Sequence, residues 1–130
     1  MKHTLALRFV SLTALLLLLS AVHGQGTTAD PAAQKIFDKL LKAIQANDRD
    51  AFVADASDAV KEGTTKEVME ALNKQLGGRL KAGFKMTYLC QLKQGGYQVY
   101  LWKASFKDDG DDHVFRLALK AGKVEGFFVQ

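Results

Sequence analysis

A single cysteine, Cys90, stands in the whole chain. No internal disulfide can form, so the fold must be held by packing, and the thiol is buried, free or used between chains. No run of basic residues occurs, which removes the usual footprint of a nucleic-acid binder. There is no Gly-rich phosphate loop, no paired-cysteine metal motif and no serine nucleophile elbow. Neither an internal repeat nor a low-complexity segment is visible. With 130 residues, the chain has room for one domain at most.

What is present first is an amino-terminal segment unlike the rest. Lys2 and Arg8 come without an acid, an apolar run is centred on Leu15 to Leu19, and "AVHGQG" follows, small and polar. This order is that of a secretory signal peptide. The apolar run from Phe9 to Val22 is short of the ~20 residues a membrane span needs. Val22 and Gly24 suit the positions before a cut, so cleavage is expected after Gly24, leaving residues 25–29 as a tether and 30–130 as the domain. A lipid anchor at the cut would need a cysteine there. Removal of Lys2 and Arg8 takes the formal charge from +4 to +2. The expected location is outside the cytoplasm, periplasmic or extracellular, with no membrane contact after cleavage.

Beyond the tether the apolar residues recur at helical spacing. Asp30 is placed to cap and Pro31 to start a helix, where its missing N–H costs nothing. Ala33, Ile36, Phe37, Leu40, Leu41 and Ile44 form its apolar stripe, and it ends near Asn47. A short second helix is predicted from Asp48. A third opens at Thr64, whose spacing to Glu67 is that of a capping box. It is expected to stop at Gly77 and Gly78. From Leu80 the period changes to two. A long strand is predicted to Lys93, then Tyr97–Lys107, His113–Lys120 and Val124–Val129, joined by turns at "QGG", "DDGDD" and "AG". Three helices ahead of a four-stranded antiparallel meander describe an α+β domain with helices on one sheet face.

Three stretches, "VKEGTTKEVMEALNKQLGG", "FRLALKAGKVEGFFVQ" and "IQANDRDAFVA", carry a resemblance. Together they look like the small cone-shaped domains of the nuclear transport factor 2-like, or cystatin-like, superfamily. In particular the chain is similar to short exported bacterial domains of unknown function in that group, some of which precede secreted hydrolase domains. The resemblance spans Pro31 to Gln130 and rests on apolar positions and glycines. It implies a curved sheet enclosing a conical interior. Folds of this kind host isomerases, dehydratases, cyclases and plain binding or dimerisation modules, so function has to be argued from the site.

In such a cone Tyr88, Cys90, Tyr100, Trp102, Phe106 and Phe115 point inward by strand phase, with His113 at the rim. These are the candidate residues for a small hydrophobic ligand, and the same side chains can instead fill the core. A domain this small has little apolar volume to spare, which favours filling. Enzymes of the superfamily commonly hold a carboxylate or histidine inside the cone as general base, yet these strand faces carry neither Asp nor Glu apart from Glu125, whose face the sequence leaves open. His113 is the one candidate base, and Cys90 lacks an evident activating partner. The expectation is therefore a non-enzymatic domain without metal or cofactor, the other reading being a small isomerase or lyase. "KDDGDDH" lacks the downstream glutamate of a calcium loop and reads as an acidic hairpin turn. The second sheet face, with Leu89, Val99, Leu101, Val114 and Ala118 among lysines, is too apolar for a fully solvated surface. It is the candidate contact face for a homodimer or for another exported protein.

Overall fold

The computed structural model describes residues 28–130, so the expected signal segment and most of the tether lie outside the described residues. Helical segments come first and a four-stranded antiparallel sheet follows, in the order β1-β2-β3-β4. The domain is α+β, as the switch of period predicts. Among the described residues no helix is long and apolar enough to cross a membrane.

Helix α1 (Pro31–Ala46) begins where the Asp30 carboxylate accepts the Ala33 N–H at 3.2 Å, and it ends on Asn47 at φ 52°. Of its expected stripe, Ala33, Phe37, Leu40, Leu41 and Ile44 are buried and Ile36 is half-buried against the core. The expected second helix is two short ones, α2 (Arg49–Val53) and α3 (Asp58–Gly63), capped by Asp48 and Ser57. Between them the chain runs extended at Ala56, which bridges to Val124 of the sheet. Ser57 N–H donates to the Val124 carbonyl at 2.9 Å and Val124 N–H to the Asp55 carbonyl at 2.8 Å. Those two bonds explain the break, because backbone groups paired with a strand cannot also pair within a helix.

Helix α4 (Lys66–Leu72) is capped by Thr65 and not by Thr64. Thr64 is buried, and its hydroxyl donates to the Val60 carbonyl at 2.7 Å, closing α3. The expected stop at Gly77 and Gly78 does not occur. The helix passes through a π-helical turn (Asn73–Gly77) into α5 (Gly78–Ala82), with both glycines at ordinary helical φ. Asn73 supplies the reason. Its Nδ2 donates to the Ile44 carbonyl at 2.8 Å, satisfying an end carbonyl of α1. A Cβ on Gly77 would lie 2.6 Å from that same nitrogen, so a side chain there would push the amide off the Ile44 carbonyl. The real stop is Gly83, at φ 120°. Leu80 and Ala82 are thus helical, and the first strand starts at Phe84.

The strands are β1 (Phe84–Gln94), β2 (Tyr97–Phe106), β3 (His113–Lys120) and β4 (Lys123–Val129). Two of the three ladders carry an extra residue. In β1 the pairing moves from Tyr88↔Trp102 to Cys90↔Leu101, leaving Leu89 without a partner of its own. In β4 it moves from Gly126↔Ala118 to Val124↔Leu119, and the extra residue is Glu125. A bulge adds local twist and bends the strand that holds it. The helices lie on one sheet face. There Phe37 stacks on Trp102 with ring centroids 3.9 Å apart and planes 5° apart, and it meets Phe115 edge-on at 5.8 Å. Phe52 of α2 packs edge-on against Phe127 at 5.7 Å. Burial of each such ring contributes about 1.5–3 kcal/mol, so this face is where the fold is secured.

Candidate functional site

Of the seven side chains expected in or at the rim of one pocket, Phe115 is buried against Phe37 and the other six fall into three places. Tyr88, Tyr100 and Trp102 form one group near the start of α1. Trp102 is 1 % exposed, lies between the rings of Phe37 and Tyr100, and takes Tyr88 against its edge at 5.7 Å. Its indole N–H donates to Oε1 of Gln34 at 3.2 Å. Burial pushes the Tyr88 hydroxyl above its ordinary pKa, with a smaller effect from Cys90. The Tyr100 hydroxyl is likewise raised, first by burial and then by the carboxylate of Asp30 and by Tyr88. Both phenols are therefore neutral at any ordinary pH. Beside them an open groove of about 460 Å³ runs past Pro31, Gln34, Met86, Tyr88 and Trp102.

Phe106 and His113 form a second group, at the other end of the strands. Their rings meet at 5.8 Å, and Nδ1 of His113 lies 3.0 Å from the Gln130 carbonyl oxygen. The guanidinium of Arg79 covers the other part of the Phe106 ring at 4.0 Å. Arg79 also grips Asp108 through two bonds, of 2.6 and 3.0 Å, and donates to the Asp111 carbonyl at 3.1 Å. That grip holds the Asp108 carboxyl at a pKa of about 2, with the Gly110 N–H as a second donor. The acidic turn is thus fastened to α5. Of the four carboxylates in that turn, Asp108 is paired with Arg79 and Asp112 with Lys103.

Cys90 is in the third place, and the expectation for it is corrected. After the bulge at Leu89 it pairs with Leu101, so it belongs to the sheet face away from the helices. Leu92 moves with it, opposite Val99. Gln91 takes the inward phase instead, and its side chain bonds that of Gln98 across the ladder. The thiol and His113 consequently stand on opposite faces, and no nucleophile–base pair can form between them. Among the described residues no three side chains of His, Cys, Asp and Glu gather to hold a metal ion.

The interior leaves little for chemistry to act on. Phe37, Phe115 and Leu117 are 0 % exposed, and no buried polar side-chain atom among the described residues lacks a hydrogen-bond partner. Among the described residues no Asp, Glu, His, Lys or Arg is buried.

The outer face is different. Leu89 is 48 % and Phe128 52 % exposed, with Leu92 and Tyr97 also exposed. Beneath them Val99 is 1 % exposed although none of the described helices covers it. Val99 and Ala118 are buried outside the main core, as a second small apolar layer. Leu101 and Val114 are half-buried beside them. The ring of Phe128 folds back over Gly126, where a Cβ would meet it at 2.7 Å, and the Arg116 guanidinium lies 5.7 Å above that ring. Arg116 also donates to Oε1 of Gln94 at 2.9 Å, tying β3 across β2 to the end of β1. The exposed phase of Phe128 and the sunk phase of Val99 depend on the two bulges and on sheet curvature, which strand periodicity does not report. No family model and no curated protein matches the chain.

Proposed function

We propose that this is an exported, non-enzymatic module that binds another exported protein through the outer face of its sheet. The observation that carries the reading is the exposed apolar cluster of Leu89, Leu92, Tyr97 and Phe128 on a sheet face that none of the described helices covers. Scattered surface aliphatics need no explanation, but a contiguous group on one face marks a contact surface. The aromatic interior supports the same reading from the other side. A small-molecule enzyme of isomerase or lyase type would need the volume that Phe37 and Trp102 occupy by stacking. The groove beside Tyr88 is open to solvent and has no ionisable side chain but the raised phenol, which leaves a small apolar ligand the weaker candidate.

The wider fold assignment belongs here as well. Helices ahead of an antiparallel meander, two bulges that curl it, and α1 laid along its inner face all support a small cone-shaped domain of the nuclear transport factor 2-like kind. In this case the cone is filled. The signal-peptide pattern at residues 1–24 supports export to the periplasm or beyond.

Photocrosslinking in the exporting cell tests the contact face. A photoreactive residue at position 92 or 128 is expected to give a discrete adduct with another protein, and one at position 35, on the exposed side of α1, is not. Equal adducts from both faces, or none from either, would overturn the proposal.

A further inference from the structure

The charge on the outer face narrows the partner. Lys85, Lys103, Arg116, Lys120 and Lys123 all take the outward phase of their strands, around the exposed leucines and Phe128. No Asp or Glu takes that phase, and Glu125 sits at the bulge. Only Lys103 is answered, by Asp112 of the acidic turn at 3.7 Å. The other four make no ion pair among the described residues. Two of them, Lys120 and Lys123, stand directly opposite each other in the ladder. Like charges in that position destabilise a sheet; the Lys120 ammonium lies 5.4 Å above the Tyr97 ring, and among the described residues no carboxylate pairs with either lysine. The carboxylates are elsewhere: of 14 in the chain, nine lie between Asp30 and Glu70 and four in the β2–β3 turn.

We infer that the outer sheet face binds a protein segment in which acidic residues alternate with apolar ones. This rests on the reading of that face as a protein-contact surface, and it names the chemistry of the partner. The apolar centre supplies buried area, and the basic rim supplies orientation and exclusion of wrong partners. A second copy of this chain fits poorly. A two-fold interface sets a patch against itself, and this patch sets five cations against two carboxylates at most, Asp112, already paired with Lys103, and Glu125 at the bulge. Recognition is by the face and not by the free edge of β1, because the extra residue Leu89 interrupts that edge where an added strand would have to pair.

The test is fluorescence anisotropy of the purified protein with labelled synthetic peptides of alternating Glu/Leu, Lys/Leu and Glu/Ser. The Glu/Leu peptide is expected to bind most tightly and to weaken as salt rises. The double variant Arg116→Glu, Lys120→Glu should weaken it about tenfold, which follows from two exposed pairs each turned from attraction to repulsion, and should admit the Lys/Leu peptide. Lys35→Glu on α1 should leave binding unchanged. Circular dichroism melts of each variant report that the fold is intact. Equal binding of the two leucine peptides overturns the inference, as does an equal effect of Lys35→Glu. Binding to phosphatidylglycerol vesicles with none to the Glu/Leu peptide overturns it in favour of a lipid surface. A dimer in sedimentation equilibrium that excludes the peptide overturns it in favour of a second copy. The vesicle and dimer outcomes leave the outer face as the contact surface, whereas equal photocrosslinking from both faces removes that reading itself.

Discussion

Replacing Phe37 by alanine removes the ring on which the helices and the sheet meet. Phe37 is 0 % exposed, stacks on Trp102 at 3.9 Å and touches Phe115 and Phe127 at 5.8 and 6.2 Å. A buried Phe→Ala change costs about 3–5 kcal/mol, part transfer and part cavity. Domains of this size have about 5–15 kcal/mol in all, so the variant should retain a fold but with little reserve. At about 4–8 °C per kcal/mol its melting point should fall by at least ~12 °C. Phe37→Leu keeps most of the volume and forfeits mainly the ring pairs, at about 1–2 kcal/mol. Urea unfolding of the three proteins gives the ordering directly. The alanine variant should also acquire a dry apolar cavity, so benzene should raise its midpoint and leave that of the parent unmoved. A cost for Phe37→Ala below ~1 kcal/mol, or benzene stabilisation of the parent, would mean that the interior is not filled. The case against a pocket enzyme would then lose its main support.

Three further outcomes are expected. Gly78→Ala should stabilise by about 0.5–1 kcal/mol, because the site is helical and open, whereas Gly77→Ala should destabilise by displacing Asn73 from the Ile44 carbonyl. Thermal melts showing both variants destabilised would restore a helix stop at this pair. The Asp108 carboxyl should titrate near 2 by NMR and move up toward 3.8 in Arg79→Gln. Its folded pKa is lowered, so its contribution to stability is present above the unfolded pKa and is lost as pH falls through about 2. A midpoint near 3.8 in the parent would contradict the grip by Arg79. The Cys90 thiol should react with a maleimide in the native protein without waiting for global unfolding. Protection to the level of Trp102 amide exchange would put it back among the inward side chains.

Periodicity was a good guide wherever one face of an element meets the core. The stripe of α1 and the inward set of Trp102, Phe106, Phe115 and Leu117 are buried as expected. It failed where a residue is added or a backbone group is claimed from outside the element. Leu89 added one residue to β1, and every later side chain of that strand changed sides, Cys90 among them. Ala56 broke a helix by pairing with Val124. Gly77 looked like a stop and is a contact. Gln34 as the partner of the Trp102 indole and Arg79 as the clamp on Asp108 join residues 68 and 29 positions apart, and nothing local marks either pair.

The amino-acid sequence by itself determined the α+β class, the order of helices before strands, the lack of disulfide and metal chemistry signals, and the scarcity of acids on the strands. Each follows from local pattern or from composition, which need no partner to express. Tertiary structure decided whether the aromatic side chains enclose a space or close on one another, and which face carries Cys90. It also decided that the unanswered lysines share a surface with the exposed leucines and Phe128. Those outcomes depend on how far strands slip and curl past each other, and a one-residue bulge is enough to exchange the two faces of a sheet.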